Sequence, residues 1–275
     1  MFDGCKINKF TELQGRGMII QPLASGSKGN VTYFEESGYS LLVDCGLSAR
    51  ETVRRLKLAG KDPEKIRGIF ITHDHQDHIR GVRVLSRSFN IPVILSEELY
   101  YGMDTRWLDG VKNLHLYESG TDIPLDTLLL RPFPVSHDAT QTMNITVTNG
   151  IKTVGLFTDL GTVSILVKTH ALSADLIIAE ANHDIHMLNM GPYPPWLQQR
   201  IRSNTGHLSN KQCADFLSET CLNGRVLSIV LGHVSQENNS YDLAINTVNN
   251  YLSRQNIDVP VCVATQNEIC EEIIL

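Results

Sequence analysis

The segment GIFITHDHQDHIRG, residues 68–81, constrains this chain most, because a strand-like apolar run changes abruptly into a cluster of ionisable side chains. Residues 73–78 include three histidines and two aspartates. Side chains two residues apart in an extended segment point to the same side, so His73 and His75 can contact one ion. Asp77 and His78 follow a tight turn and can contact a second ion nearby. We therefore predict a metal site at the end of this strand.

The ligand types indicate which metals fit this loop. Imidazole and carboxylate ligands together suit zinc, manganese or iron. The segment contains no cysteine, which argues against a structural zinc site, because such sites usually contain thiolates. A polar surface loop with chance histidines is the alternative, but three of the ten histidines fall within six residues at metal-ligand spacing. We predict a catalytic site with two divalent metal ions.

The composition predicts a cytoplasmic protein with one main domain. With 275 residues, 42% of them hydrophobic, the chain can bury a substantial core. We expect a single domain at residues 18–275 and a loose N-terminal extension at residues 1–17, because the first strand-like segment begins at Met18. No apolar run predicts a membrane span, and the N-terminus does not resemble a secretion signal. The net charge of −6 offers no general basic surface for nucleic acid, and no feature specifies a protein partner.

Short β-rich segments alternate with helical ones, which predicts a layered α/β fold with sheet at its centre. Ser48 is a predicted helix N-cap, and Gly60 fits the position just beyond that helix. Three apolar strands are followed directly by polar residues that can complete a two-metal site, namely His137, Asp159 and His233. An aspartate suits the bridging position, because each carboxylate oxygen can bind one cation. Each of these residues taken alone is equally well explained as a cap or a core-edge polar residue.

Five motifs spread along the chain resemble, in order, those of the metallo-β-lactamase fold. They are Asp44 in LLVDCG, the loop 73–78, His137, Asp159 and His233. The resemblance covers residues 18–265 and implies an αββα sandwich, in which two mixed β-sheets are flanked by helices and a dinuclear metal site lies at one edge.

The resemblance also implies a role for each of these residues. One metal would be held by His73, His75 and His137. The other would be held by Asp77, His78 and His233, with Asp159 bridging the two ions. Asp44 would orient the ligand loop, although a turn former before Gly46 explains that aspartate nearly as well.

Other features narrow the resemblance within this fold. The commonest class B β-lactamases have a cysteine at the fourth motif, where this chain has Asp159. This difference argues against β-lactam hydrolysis. The segment between Asp159 and His233 is too short for the inserted domain of β-CASP nucleases such as RNase J. The phrases EANHD, GHLSNKQCA and HVSQENN resemble motifs of RNase Z, the tRNA 3′-processing endonuclease. Together with LASGSKGN, ITHDHQDHIRGV and GPYPPWLQQRI, they are most similar to the YycJ/WalJ-type exonucleases.

This resemblance implies metal-dependent 5′-to-3′ exonuclease activity on DNA, in which two divalent ions activate water. An RNA-processing nuclease of the RNase Z type is an alternative. Because the same activated water attacks carbonyl groups, an acyl or thioester hydrolase of the glyoxalase II or lactonase type is another. A non-enzymatic metal-binding or DNA-binding module is the remaining interpretation.

Similarity to RNase Z suggests further catalytic residues. His207 is the candidate proton donor to the leaving 3′-oxygen, since imidazole titrates near neutral pH. Glu180 would orient that histidine, and His183 would contact phosphate or be a further residue at the edge of the site. Asp77 is assigned a catalytic role besides its role as a ligand. A position beside a helix cap explains His207 equally well.

Two segments are candidates for substrate contact. In ASGSKGN, backbone N–H groups of a small-residue loop can approach a phosphate, so Ser27, Lys28 and Asn30 are predicted contacts. A plain hairpin turn explains this loop equally well. In GPYPPWLQQRIRS, Arg200 can hold a phosphate while the nearby Trp196 stacks on bases. Aromatic packing beside solvated arginines is the simpler interpretation of that segment.

Overall fold

The structure, a computed structural model, describes residues 17–275. The predicted N-terminal extension lies outside the described residues, apart from Gly17. The described residues form fourteen strands, which are β1 Ile19–Ala24, β2 Val31–Glu36, β3 Tyr39–Val43, β4 Ile66–Phe70, β5 Val93–Ser96, β6 Leu114–Tyr117, β7 Ile123–Leu125, β8 Leu128–Pro134, β9 Met143–Thr148, β10 Thr153–Phe157, β11 Leu176–Glu180, β12 Ser228–Gly232, β13 Val261–Val263 and β14 Ile273–Ile274.

The same residues form nine α-helices, which are α1 Ala49–Leu58, α2 Gln76–Ile79, α3 Val82–Phe89, α4 Glu97–Gly102, α5 Ile165–Ala171, α6 Ile185–Met190, α7 Pro195–Ile201, α8 Asn210–Cys221 and α9 Tyr241–Arg254. Ser48 caps α1 as predicted, because its side chain accepts a hydrogen bond from the Glu51 backbone N–H. Gly60 lies beyond this helix with a φ of +71°, which confirms its predicted position. Within residues 17–275, none of the helices combines the length and the apolar character needed to cross a membrane.

The strands form two seven-stranded sheets. Their orders are β14-β1-β2-β3-β4-β5-β6 and β13-β12-β11-β10-β9-β8-β7. In the first sheet, β1 to β3 pair antiparallel and β3 to β6 pair parallel. In the second, β7 to β10 pair antiparallel and β10 to β13 pair parallel. Both sheets are therefore mixed, as the resemblance implies.

Three buried apolar clusters join the layers. Between the sheets, Phe34 and Phe70 of the first sheet share a cluster with Ile145 and Ile178 of the second. A second cluster joins the outer face of the first sheet to α1 and α3. A third joins the outer face of the second sheet to α5, α8 and α9. The order helix, sheet, sheet, helix confirms the predicted αββα sandwich.

The parallel strands of the second sheet explain where polar residues can lie. Strands β10, β11 and β12 are buried along their whole length, because one face meets the other sheet and the opposite face meets helices. Their carboxyl ends meet at one edge of the sheet. Polar side chains near those ends are therefore brought close together.

Candidate metal centre

The edge of the sandwich gathers the polar residues that the sequence nominated. The ligand loop of the sequence analysis, residues 73–78, comes after β4 and includes the first residues of α2. His137 follows β8, Asp159 follows β10 and His233 follows β12. Asp159 and His233 have left-handed backbones, with φ of 55° and 51°, and so has Asp44 after β3, with φ of 61°. Non-glycine residues rarely adopt this conformation, and such residues concentrate at functional sites.

His73, His75 and His137 form a first group of potential metal ligands. Their nearest ring nitrogens all lie within 4.8 Å of one another. His137 Nε2 faces His75 Nδ1 at 3.3 Å. This spacing allows all three imidazoles to bind one ion.

Asp77, His78 and His233 form a second group, whose donor atoms also lie within 4.8 Å of one another. Asp77 Oδ2 is 3.4 Å from His233 Nε2 and 3.5 Å from His78 Nε2. One carboxylate and two imidazoles are therefore arranged to bind a second ion.

Asp159 lies between the two groups. Its Oδ2 is 3.3 Å from His78 Nε2, and its Oδ1 is 3.4 Å from His233 Nε2 and 3.9 Å from His137 Nε2. A carboxylate that contacts both groups has the geometry of a bridging ligand. The structure thus brings together all seven residues that the sequence nominated as ligands, and their individual roles as ligands stay a prediction.

Hydrogen bonds to Nδ1 orient four of the five histidines. His78 Nδ1 donates to Asp44 at 2.7 Å, His137 Nδ1 donates to the Gly206 carbonyl at 3.1 Å, and His233 Nδ1 donates to Glu180 at 3.1 Å. The Nδ1 of His73 lies 2.9 Å from Thr72 Oγ1. Such bonds set the ring orientation and the tautomer, so that Nε2 is the nitrogen that can bind a metal.

Asp44 supports the ligand loop through several hydrogen bonds. Besides its bond to His78, its Oδ1 accepts a hydrogen bond from the Thr72 backbone N–H at 2.9 Å. The Thr72 hydroxyl also donates to this carboxylate, so its oxygen can accept from His73. Because Asp44 is 4% exposed and contacts the loop at several points, its geometry matches the orienting role implied by the resemblance.

Glu180 contacts three parts of the site at once. Its Oε2 accepts hydrogen bonds from the Asp159 backbone N–H at 3.0 Å and from His207 Nδ1 at 2.9 Å. The same carboxylate bonds to His233. The bond to His207 matches the prediction, whereas the support of His233 and Asp159 is a role that the sequence did not indicate.

The electrostatics of the site suit a cation. Burial alone would lower the pKa of His233, but Asp159, Asp77 and Glu180 raise it well above its ordinary value. Burial would likewise lower the pKa of His207, and Glu180 raises it. Buried carboxylates therefore hold positive charge at this edge, where bound metal would replace the protons on the ligands.

Two unpartnered atoms test whether a metal fits here. Within the described part of the chain, His73 Nε2 and Asp159 Oδ2 are buried and have no hydrogen-bond partner, although Oδ2 lies 3.3 Å from His78 Nε2. A buried polar atom without a partner is costly, and metal coordination would satisfy both atoms. The residues therefore fit metal ions, and the nitrogen and oxygen donor set is the one that zinc, manganese and iron accept.

A cleft of about 220 Å³ opens over this centre. Among the predicted substrate contacts, Ser27 and Arg200 line it, and so do Asp77 and His207. Lys28 is exposed but is not part of the lining.

Two other predicted substrate contacts lie elsewhere. The Asn30 side chain points inward, within 3.0 Å of His78 Nε2 and 3.3 Å of Asp77 Oδ2, and the residue is 8% exposed. This placement suits support of the ligand loop. His183 is 1% exposed, and it does not line the cleft among the described residues. Burial lowers the pKa of His183 to about 4, so its ring is neutral and does not offer a charge to phosphate.

Three further residues contact the site, and no sequence pattern nominated them. Thr72 bridges Asp44 and His73, Asn182 donates to the His233 carbonyl at 3.0 Å, and Asp138 contacts Arg200. Each is adjacent in sequence to a nominated residue or lies within the EANHD phrase. Local adjacency is the signal that could have found them.

Gly46 is required because the segment after β3 closely approaches the backbone of α2. A Cβ at this position would overlap the Asp77 carbonyl oxygen and its carbon. We expect Gly46→Ala to displace the ligand loop and to lower the free energy of unfolding by about 1–3 kcal/mol, as overpacking does. Thermal unfolding and metal content per chain measure the two effects.

Gly68→Ala is the matched control for that substitution. Gly68 lies in β4, where a Cβ would meet only side-chain methyl groups of Leu41 and Ile94. These methyl groups can shift, so we expect normal metal content. Equal metal content in the two variants would contradict the requirement for glycine at position 46.

The fold and the arrangement of potential metal ligands match one class of protein. The family model of the metallo-beta-lactamase superfamily matches residues 24–200. The chain therefore belongs to the metallo-β-lactamase superfamily.

Within this superfamily, the chain is similar over most of its length to two named proteins. It is 38% identical to "Exodeoxyribonuclease WalJ" of Streptococcus pneumoniae, over 89% of this chain and 92% of that protein. It is 33% identical to "Exodeoxyribonuclease YycJ" of Bacillus anthracis, over 88% of this chain and 92% of that protein. Among solved structures, the metallo-beta-lactamase fold protein YhfI of Bacillus subtilis matches with a TM-score of 0.71 at 17% identity, over 94% of this chain and 100% of that one. That structure supports the fold.

Proposed function

We propose that the chain is a metal-dependent exodeoxyribonuclease that removes nucleotides from the 5′ end of DNA. The observation that carries this proposal is the convergence of two donor groups on Asp159, beneath a cleft that His207 also lines. The likeness to two proteins named exodeoxyribonuclease supports DNA as the substrate. A DNA substrate also supports the cytoplasmic location that the sequence predicts.

The proposed centre holds two divalent ions, with zinc or manganese as the first candidates and iron as a third. We assign one ion to the group His73, His75 and His137, the other to the group Asp77, His78 and His233, and the bridge to Asp159. When bound, two such cations lower the pKa of a water molecule towards neutrality and stabilise negative charge on a phosphate. Asp44 and Glu180 keep the imidazoles in the tautomer that can bind metal.

His207 is the proposed donor of a proton to the leaving 3′-oxygen. Its side chain is 20% exposed towards the cleft, and Glu180 accepts a hydrogen bond from its Nδ1. This arrangement leaves Nε2 for the substrate, in the manner of an oriented general acid. Asp77 lines the same cleft, where its carboxylate can accept a hydrogen bond from the attacking water.

The proposal is tested with end-labelled DNA and RNA, single-stranded and double-stranded, carrying 5′-phosphate or 5′-hydroxyl ends. Protein stripped with a chelator should be inactive, and resupplied Mn²⁺ or Zn²⁺ should restore release of mononucleotides from the 5′ end of DNA. Internal cleavage, or cleavage confined to RNA, would contradict the proposal.

A hydrolase of esters or thioesters is distinguished by its substrates. We expect the metal-loaded protein to hydrolyse bis-p-nitrophenyl phosphate and to leave a lactone and S-lactoylglutathione intact. Turnover of the lactone or the thioester without turnover of the phosphodiester would replace the nuclease with an acyl hydrolase.

A further inference from the structure

One wall of the cleft is formed by a helix that is not packed into the core. Helix α7 contributes Leu197, Arg200 and Ile201 to the lining, and Tyr193 precedes it. None of the residues of α7 is buried. A helix in a globular domain usually buries an apolar stripe against the core, whereas this helix directs Leu197 and Ile201 to the cleft. The wall is therefore suited to contact a ligand.

Arg200 supplies positive charge on this wall. It is the only lysine or arginine among the described residues that line the cleft. Its guanidinium forms an ion pair with Asp138, the residue after His137, so the side chain is positioned beside the metal-ligand candidates. The side chain remains 52% exposed, and a guanidinium fits the geometry of phosphate oxygens.

Trp196 extends the wall outwards from the cleft. It lies four residues before Arg200, so the two side chains are neighbours on one face of α7, about 6 Å apart along the helix axis. The residue is 65% exposed, although tryptophan is usually largely buried. Because Trp196 is not part of the lining, a ligand that touches both side chains must extend out of the cleft.

We propose that Trp196 and Arg200 form a subsite for a single-stranded nucleic-acid end, an inference that rests on the proposed function. Arg200 binds a backbone phosphate at the mouth of the cleft, and Trp196 stacks on the base of an adjoining nucleotide. A basic group beside an exposed aromatic side chain is the combination used in single-strand binding. The cleft has a volume of about 220 Å³, which is small for a ligand site. It therefore has room for the end of a strand and not for a longer stretch of it.

This subsite discriminates between single strands and duplex DNA. Within a duplex, an indole ring can stack only on the outer face of a terminal base pair, because the neighbouring pairs cover the faces of every internal base. A single-stranded end exposes those faces. The subsite therefore favours single-stranded ends, or duplex ends whose terminal nucleotides are unpaired.

Intrinsic fluorescence tests the subsite directly. The chain contains two tryptophans, Trp107 and Trp196, so Trp107→Phe leaves Trp196 as the only indole. The zinc-loaded protein is titrated with a single-stranded phosphorothioate 12-mer and with a blunt duplex of the same sequence. We expect the single strand to quench Trp196 emission and the duplex to quench it far less.

Affinity for the same 12-mer, labelled with fluorescein and followed by anisotropy, tests the energetics. Trp196→Ala should raise the Kd about 5- to 150-fold, the range for loss of one stacked base, whereas Trp196→Phe should keep most of the affinity. Arg200→Gln should also weaken binding, and its effect should diminish at high salt.

Tyr101 and Arg202 provide matched controls. Tyr101 is an aromatic residue of α4 with 76% exposure, and Arg202 follows α7 and contacts Asn189. Both residues lie outside the lining of the cleft. Tyr101→Ala and Arg202→Gln should change the Kd by no more than about twofold, as is usual for surface substitutions.

The outcomes separate this inference from the proposed function. Unchanged Trp196 emission and unchanged affinity of Trp196→Ala would overturn the subsite, while metal-dependent hydrolysis of DNA would still support the function. Absence of DNA hydrolysis by the metal-loaded protein would overturn both. Trp196 emission that changes with protein concentration in step with dimerisation, without DNA, would assign this surface to contact between copies of the chain.

Discussion

Asp159→Asn is expected to lose bound metal and to lower nuclease activity by more than about 100-fold, beyond the usual range for residues that only support metal ligands. The two oxygens of Asp159 contact both donor groups, and the residue is 2% exposed. An amide lacks the negative charge and offers one oxygen instead of two. Elemental analysis after dialysis and the rate of mononucleotide release measure the two losses.

Asp175→Asn is the matched control for that variant. Asp175 is also a buried carboxylate of the second sheet, and it precedes β11, at the end of the strand opposite Glu180. It accepts a hydrogen bond from the Thr153 backbone N–H and contacts Arg225. We expect this variant to be less stable but to keep its metal content. Normal metal content and activity in Asp159→Asn would make the bridging assignment wrong.

His207→Ala is expected to lower kcat by about 10²- to 10⁴-fold on DNA, the range for general acid catalysis, with metal content retained. The loss should be much smaller on the p-nitrophenyl ester of thymidine 5′-phosphate, because p-nitrophenolate leaves without a proton. Parallel measurements of kcat on the two substrates separate proton donation from a structural role. Equal losses on both would contradict the assignment.

Glu180→Gln should behave differently from His207→Ala. Glu180 supports His233 and the Asp159 backbone as well as His207, so this variant should lose metal affinity, about 10- to 100-fold, in addition to activity. His170→Ala is the histidine control, because His170 stacks on Phe133 and lies outside the cleft lining. It should keep both properties.

Much of the secondary structure could be predicted because its signals are local. The helix Asn210–Cys221 begins with a capping box at Ser209, a signal contained within a few neighbouring residues. Strands buried on both faces, such as β11 and β12, are continuous apolar runs. Other elements lack such local signals. Strand β6 exposes its first residues, and α7 buries none, so neither has a clear apolar period.

The candidate site could likewise be predicted in part, where its signals are local. The spacing within the loop 73–78 predicts paired ligands, because the backbone alone sets which neighbouring side chains share a side. The double role of Glu180 could not be predicted, since its carboxylate reaches three residues that only the packed sheets bring within hydrogen-bond distance. Asn30 lies on a loop with a phosphate-binding appearance, but the fold turns its amide towards His78.

By itself, the sequence determined the chemistry of this protein: the donor types, the histidine-rich loop and the order of the motifs are properties of short segments. Only the tertiary structure decided that His137, Asp159 and His233 face that loop across one edge. These residues are far apart along the chain, and they meet because the strands that precede them, β8, β10 and β12, belong to a single sheet packed against the sheet that carries the loop. The physical reason is that burial of the apolar faces between the two sheets aligns the strand ends, which no local pattern encodes.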